Sequence, residues 1–224
     1  MEHLSEKVVF TSEECRKILI IATPRSSSTT LARELGKVIN GKVIYEPYNN
    51  YHPVSSAIKF DSSVLPDRVV VKTMIHHSLK GVDRYGKTLN DRMQSTFSFY
   101  LEEIKKYDRV ILLSRKDIKG AYESYKYHLD TEPLGRWHSP YMYEKTNFDV
   151  RVYNEFLKWN SAIIEFSLET GIEINWYEDL YSGDLKEFKE VVDPWNLGES
   201  STSIYKKLTS TKKYRITNQK NTLI

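Results

Sequence analysis

Residues 18–31 read Ile-Leu-Ile-Ile-Ala-Thr-Pro-Arg-Ser-Ser-Ser-Thr-Thr-Leu. The apolar, β-branched run at the start predicts a buried strand over Lys17–Ala22. It breaks off into a loop of hydroxyl residues, and a helical pattern follows at once over Thr30–Ile39. A buried strand that feeds a loop and then a helix N-terminus builds an anion site, because successive backbone N–H groups and the helix dipole converge there. Ser26, Ser27, Ser28, Thr29 and Thr30 add hydroxyl donors and Arg25 adds a fixed cation. The ligand that these groups fit is a phosphate or a sulfate ester.

Strand and helix patterns alternate outward from this stretch, which predicts an α/β fold with a mostly parallel sheet flanked by helices on both faces. After the first helix, Asn40-Gly41 supplies a stop. Short strands are expected at Val43–Tyr45, Arg68–Lys72, Arg109–Ser114 and Ile172–Trp176, and helices at Thr88–Lys106, Asp117–Leu129, Phe148–Thr170 and Leu185–Val192. In the long helix, Phe156, Trp159, Ile163 and Phe166 fall near one face, and Gly171 closes it. Residues 130–147 hold Pro133, Gly135 and Pro140 among aromatics and read as a loop or lid. There is no internal repeat and no linker, so residues 1–224 are expected to form one domain.

Composition narrows the function. With 33 Lys+Arg against 30 Asp+Glu the net charge is only +3, which does not suit general nucleic-acid binding but allows a local basic pocket. A single cysteine, Cys15, permits no internal disulfide and points to a reducing, cytoplasmic setting. No stretch reaches the ~20 apolar residues of a membrane span, so a soluble protein is expected. The histidines and carboxylates lack metal-ligand spacing, so no metal is expected.

The hydroxyl loop is not a Walker A motif, which needs two glycines and a Lys-[Ser/Thr] pair. Thr23-Pro24-Arg25-Ser26-Ser27-Ser28-Thr29 instead resembles the phosphosulfate loop of the sulfotransferase superfamily, commonly Thr-Pro-Arg-Ser-Gly-Ser-Thr after a strand. The departure is Ser27 where the family has Gly; if that position requires positive φ, Ser carries a steric cost that Gly avoids. A second segment, Arg109–Leu129, looks like the superfamily's nucleotide motif, in which an Arg at a strand end and a Ser on the next helix hold the 3′-phosphate of 3′-phosphoadenosine 5′-phosphosulfate (PAPS). Arg115 and Ser124 match, at a spacing of nine where eight is usual; Lys116 lies at eight and is the second candidate. Tyr45-Glu46-Pro47 resembles a segment of carbohydrate sulfotransferases, and Trp176-Tyr177-Glu178-Asp179-Leu180 resembles a Tyr-Glu-Asp-Leu segment found after a late strand. The last is read as structural, with Glu178 and Asp179 bonding the turn that follows.

The resemblance implies a three-layer, P-loop-like fold and a PAPS-dependent sulfuryl transfer without metal. Pro24, Arg25, Ser26, Ser27, Ser28, Thr29 and Thr30 would hold the 5′-phosphosulfate, Arg115 or Lys116 with Ser124 the 3′-phosphate, and Lys212, Lys213 or Arg215 of the basic C-terminal run would close over the nucleotide. Sulfuryl transfer is dominated by positioning and charge stabilisation, the role of Arg25, and the acceptor's proton needs a base. Glu46 is the first candidate for that base, with His76 and His77 as alternatives. Lys72 reads equally as a sulfuryl contact or a strand-end charge. The acceptor is expected to be a small molecule, a carbohydrate or another hydroxyl compound, with neither nucleic acid nor membrane as partner. Two other readings stay open on these residues: a nucleotide or nucleoside kinase with a degenerate loop, and a non-catalytic nucleotide-binding domain.

Overall fold

The apolar run forms strand β1 (Lys17–Ala22), in which Ile18 through Ala22 are shielded from solvent on both faces. The computed structural model describes residues 15–48, 60–76, 97–131, 148–181, 184–195, 197 and 202–206. A strand buried this way needs a partner at each edge, and β1 has two. It pairs in parallel with β3 (Val69–Met74) and β4 (Arg109–Ser114), so that Ile20 faces Lys72 on one side and Ile111 on the other. Strand β2 (Lys42–Tyr45) extends the sheet beyond β3, and β5 (Ile174–Trp176) extends it beyond β4. The five-stranded sheet is all parallel, in the order β2-β3-β1-β4-β5.

Alternate residues of the central strands supply two cores. Ile18, Ile20, Ala22, Val70, Ile111 and Leu113 meet Leu31 and Leu35 of α1 (Ser28–Val38), Leu180 of α5 (Tyr177–Tyr181) and Phe188 of α6 (Leu185–Val192). On the other face, Leu19, Ile21, Val71 and Leu112 lie under Tyr100 of α2 (helical residues 97–103) and under Ile163 and Phe166 of α4 (Val150–Thr170). Helix α3 (Ile118–Thr131) packs on α4 through Ala121, Tyr122 and Phe156. Each such apolar side chain taken out of water contributes about 1.5–3 kcal/mol, and the pattern makes the helix–sheet–helix layering the arrangement that satisfies both faces of β1.

The ends of the elements follow local chemistry. Helix α1 starts at Ser28, two residues ahead of the expected Thr30, immediately after Ser27 with φ 60°. At its other end Asn40, with φ 50°, takes the left-handed turn; its N–H donates to the Lys37 carbonyl (3.3 Å) and the Gly41 N–H to the Gly36 carbonyl (2.8 Å). These two bonds form a Schellman stop with Asn in place of the usual Gly. Gly41 serves a different need, close approach: a Cβ there would lie 2.8 Å from both the carbonyl carbon and the oxygen of Arg68. Helix α4 is capped by Asp149, which accepts from the N–H groups of Arg151 (2.9 Å) and Val152 (3.4 Å), and is closed by Gly171 at φ 69°. Strand β3 continues past Lys72 to Met74, where parallel pairing with β1 persists to Ala22. The fifth strand is shorter than expected, starting at Ile174, and Tyr177–Tyr181 adds a one-turn helix absent from the sequence reading. The expected helix 88–106 is seen from residue 97, with Ile104–Lys106 tightened into a 3₁₀ turn; its start and the proline-bearing segment 132–147 lie outside the described residues. Among the described residues, no helix is long and apolar enough to cross a membrane.

Two outcomes follow from the packing. Gly41→Ala pushes a methyl into the Arg68 backbone, which has no flexible end to give way, so denaturant titration should show a loss of about 1–3 kcal/mol. Cys15 is buried, and burial, with the charge of Asp108 adding to it, pushes its thiol up to about 12 from an ordinary 9.0, against an opposing pull from Arg109. A raised folded-state value means that the thiol favours folding fully below pH 9 and that this contribution drains away between pH 9 and 12. Iodoacetamide at pH 8 should therefore leave Cys15 unmodified until denaturant is added; rapid alkylation of the native protein would show that the thiol is exposed.

Candidate functional site

The chain leaves β1 towards the β2 edge of the sheet and leaves β4 towards the β5 edge, so the two adjacent strands open a crevice between their carboxyl ends. Open parallel sheets bind ligands at such a switch point. The loop after β1 lies here, pinned by a hydrogen bond from the Thr23 N–H to the Leu113 carbonyl of β4 (3.0 Å). Ser26 is fully buried, and its hydroxyl donates back to the Thr23 carbonyl (2.7 Å). Arg25 (φ 64°) and Ser27 (φ 60°) both occupy the left-handed region, which costs a non-glycine residue about 1–2 kcal/mol. The positive φ that a glycine would favour at residue 27 is therefore present, and Ser adopts it.

That backbone opens directly into α1. Ser27 makes no side-chain cap, and the first turn carries no acidic residue. The Leu31 N–H is the first to bond within the helix, to the Ser27 carbonyl (3.1 Å). The N–H groups of Ser28, Thr29 and Thr30 consequently have no acceptor inside the helix, as at any helix start. Ser28 and Thr30 are buried and Thr29 is exposed. This end of α1 has the polarity that attracts an anion.

Two contacts tie the loop to the far side of the crevice. Arg25 Nε donates to the Ser124 hydroxyl on α3 (3.2 Å), joining two residues 99 positions apart. Beside them the Tyr125 hydroxyl is pushed up by burial, with the positive charge of Arg25 working in the opposite direction. Ser114, at the end of β4 and fully buried, donates to Asn160 Oδ1 of α4 (2.7 Å). Its one proton is thereby used, so the 3.0 Å hydrogen bond between Thr23 and Ser114 has Thr23 as donor. A relay of hydroxyls thus runs from the loop through β4 to α4.

Glu46, with φ 51°, follows β2, and its carboxylate accepts a hydrogen bond from Lys72 Nζ; the Glu46 N–H also donates to the Lys72 carbonyl (2.6 Å). Lys72 is 1% exposed; burial pulls its ammonium below the ordinary range, and Glu46 partly offsets the shift. His76 follows β3 and stacks on Trp159 at 4.6 Å between ring centroids. Arg115 and Lys116 sit on the β4–α3 turn. Arg115 lies over the Tyr177 ring (4.7 Å), near Glu178 (3.6 Å) and Asp117 (3.7 Å). Lys116 is more exposed and pairs with Asp179 (2.7 Å). His77, Lys212 and Lys213, with Arg215, lie outside the described residues. Pro24 is half-buried at the mouth of the loop.

Sequence reasoning does not single out Ser114, Asn160 or Trp159 as part of this edge, and it gives Glu178 the wrong turn. Glu178 accepts from the N–H groups of Lys116 (2.9 Å) and Asp117 (3.2 Å), on the turn after β4 and not on the one after itself. The parallel pairing of β5 with β4 brings it there, and that pairing leaves no local signal. No group of three or more His, Cys, Asp or Glu among the described residues is arranged to hold a metal ion. No family model matches the chain, and no curated protein matches it.

The left-handed backbone at residue 27 is open to a direct check. Ser27→Gly should be at least as stable as the parent in a denaturant titration, because relief of the steric cost offsets the added freedom of the unfolded chain. Ser27→Val, with a branched Cβ, should lose about 1–2 kcal/mol. Equal stability of the two variants would mean that residue 27 does not hold a positive φ.

Proposed function

We propose that the chain is a P-loop-like, PAPS-dependent sulfotransferase that moves a sulfuryl group to a hydroxyl or amine of a small acceptor, a carbohydrate or another hydroxyl compound. The observation that carries this reading is the hydrogen bond from Arg25 to Ser124, since it joins the two segments whose sequences resemble the superfamily's nucleotide motifs. Their meeting point at the β1–β4 switch crevice adds support, as does an α1 N-terminus free of acidic side chains.

The residues present fit a phosphosulfate nucleotide. The co-substrate supplies a sulfuryl group already activated as an anhydride. The amides of Ser26 to Thr30, with the hydroxyls of Ser27, Ser28, Thr29 and Thr30, would hold a tetrahedral anion, while the Ser26 hydroxyl is spent on the Thr23 carbonyl. Arg25, whose Nε is bonded to Ser124 on α3, would offer its planar cation to the charge that develops on the departing oxygen. Glu46 accepts the proton that the acceptor gives up. Lys72 fixes the Glu46 carboxylate at the sheet edge and adds a buried positive charge beside it. His76, held flat against Trp159, forms a wall on the β3 side.

Adenosine 3′,5′-bisphosphate should raise the melting temperature with no divalent ion present. A ligand that binds only the native state stabilises it by about 2.7 kcal/mol at a hundredfold excess over Kd. A shift seen only with ATP and magnesium would indicate a kinase instead. With labelled PAPS and a panel of sugars, phenols and peptides read by mass spectrometry, Arg25→Ala should lower turnover by about 100-fold. Glu46→Gln should keep nucleotide affinity and lose roughly 100-fold in rate. Near-normal turnover in Glu46→Gln, with loss in His76→Ala or His77→Ala, would assign the base to a histidine.

A further inference from the structure

The β4–α3 turn carries Arg115, and its backbone is held by a side chain 62 residues further on. Strand β5 pairs with β4 so that Trp176 lies beside Ser114, which brings Tyr177 and Glu178 alongside Arg115. Glu178 uses both carboxylate oxygens. Oε2 accepts from the Lys116 N–H (2.9 Å) and Oε1 from the Asp117 N–H (3.2 Å), and Oε1 also lies 3.6 Å from Arg115 Nε. The Tyr177 ring supports the guanidinium from below at 4.7 Å. Asp117, 3.7 Å from Nη2, is itself committed to the start of α3, where it accepts from the Gly120 N–H (2.8 Å). Arg115 Nη1 makes no hydrogen bond among the described residues. The Tyr177 ring thus covers one face of the guanidinium, carboxylate oxygens lie at ion-pair distance from Nε and Nη2 without a hydrogen bond from Nε, and Nη1 is left for a ligand.

We propose that Glu178 is a positioning residue. By holding the backbone of the β4–α3 turn and the Nε side of Arg115, it sets the direction in which Arg115 presents Nη1 to a phosphate group at the carboxyl edge of the sheet. The proposal rests on reading Arg115 as the ligand of the nucleotide's 3′-phosphate. A carboxylate suits the task because two converging N–H donors and a cation need a charged acceptor with two oxygens. Glutamine keeps the shape but turns an NH₂ group towards at least one of those donors.

The test uses Glu178→Gln, Glu178→Asp, Arg115→Ala and the double variant Arg115→Ala/Glu178→Gln in the full chain. Without any ligand, amide hydrogen exchange at Lys116 and Asp117 should be about tenfold faster or more in Glu178→Gln, with exchange inside β4 unchanged. Adenosine 3′,5′-bisphosphate should bind Glu178→Gln about tenfold more weakly while AMP binds as before. That penalty should vanish in the Arg115→Ala background, where the group being positioned is gone. Glu178→Asp, which retains the charge, should recover part of the affinity and serves in place of Glu178→Gln if the latter folds poorly. Unchanged exchange at Lys116 and Asp117, or an equal penalty with and without Arg115, overturns the proposal while leaving the nucleotide reading intact. Failure of the parent protein to bind the bisphosphate overturns the nucleotide reading, and with it any role of Glu178 towards a phosphate.

Discussion

The upper edge of the sheet depends on how Thr23 is fastened to β4. Its N–H donates to the Leu113 carbonyl, continuing the β1–β4 ladder one residue beyond the strand, and its hydroxyl donates to Ser114, which in turn donates to Asn160. With Thr23 fixed at the strand's end, the chain must turn within a few residues to enter α1 at Ser28. It does so through two left-handed residues, Arg25 and Ser27. The stored strain is tolerated because the surrounding bonds leave the backbone no alternative. One result is that the Arg25 side chain is carried across the crevice to Ser124 and not along the sheet.

A second constraint acts from the other side. Lys72 sits within β3 and is almost wholly buried, a position that strongly disfavours a charge. Its pairing with Glu46 ties the exit of β2 to β3 and closes that end of the sheet. Tyr48, two residues on, is itself buried and donates to Glu103 beneath the other face (2.6 Å). The short segment after β2 is therefore gripped twice, by charge at Glu46 itself and by the phenol of Tyr48, whose ring meets Phe60 and Phe99.

The sequence makes the elements legible where the cause is local. The Ile-Leu-Ile-Ile run reads as a strand buried on both sides, Asn40-Gly41 reads as a helix stop, and Gly171 marks the end of α4 at the residue expected. Arg25 and Ser124 are each recognisable within their own segments. What cannot be read along the chain is which strands become neighbours. The order β2-β3-β1-β4-β5 decides that Arg25 meets Ser124, that Glu46 meets Lys72, and that Glu178 reaches the Lys116 amide. Glu178 is expected to bond a turn, and it does, but its partner is chosen by the pairing of β5 with β4, which leaves no trace in the residues around 178. The relay from Thr23 to Asn160 is hidden for the same reason: serine and asparagine have too many ordinary uses for either to be marked by composition alone.

The order of the strands also bears on how the molecule comes to be made. Strand β1 is the centre of the sheet, yet it is synthesised before both of its partners: Val69 of β3 follows Lys17 by about 50 residues and Arg109 of β4 follows Ile18 by about 90. Until those segments emerge, a stretch of consecutive apolar β-formers has no edge to pair with, which is the composition that favours association between nascent chains. Among the described residues, helix α1 is the next element along the chain able to cover it, through Leu31 and Leu35, and it shields one face. The interval between the synthesis of β1 and that of β4 is thus the period of greatest exposure to aggregation, and the hydroxyl-rich turn and charged helix that follow the apolar run keep that exposed stretch short.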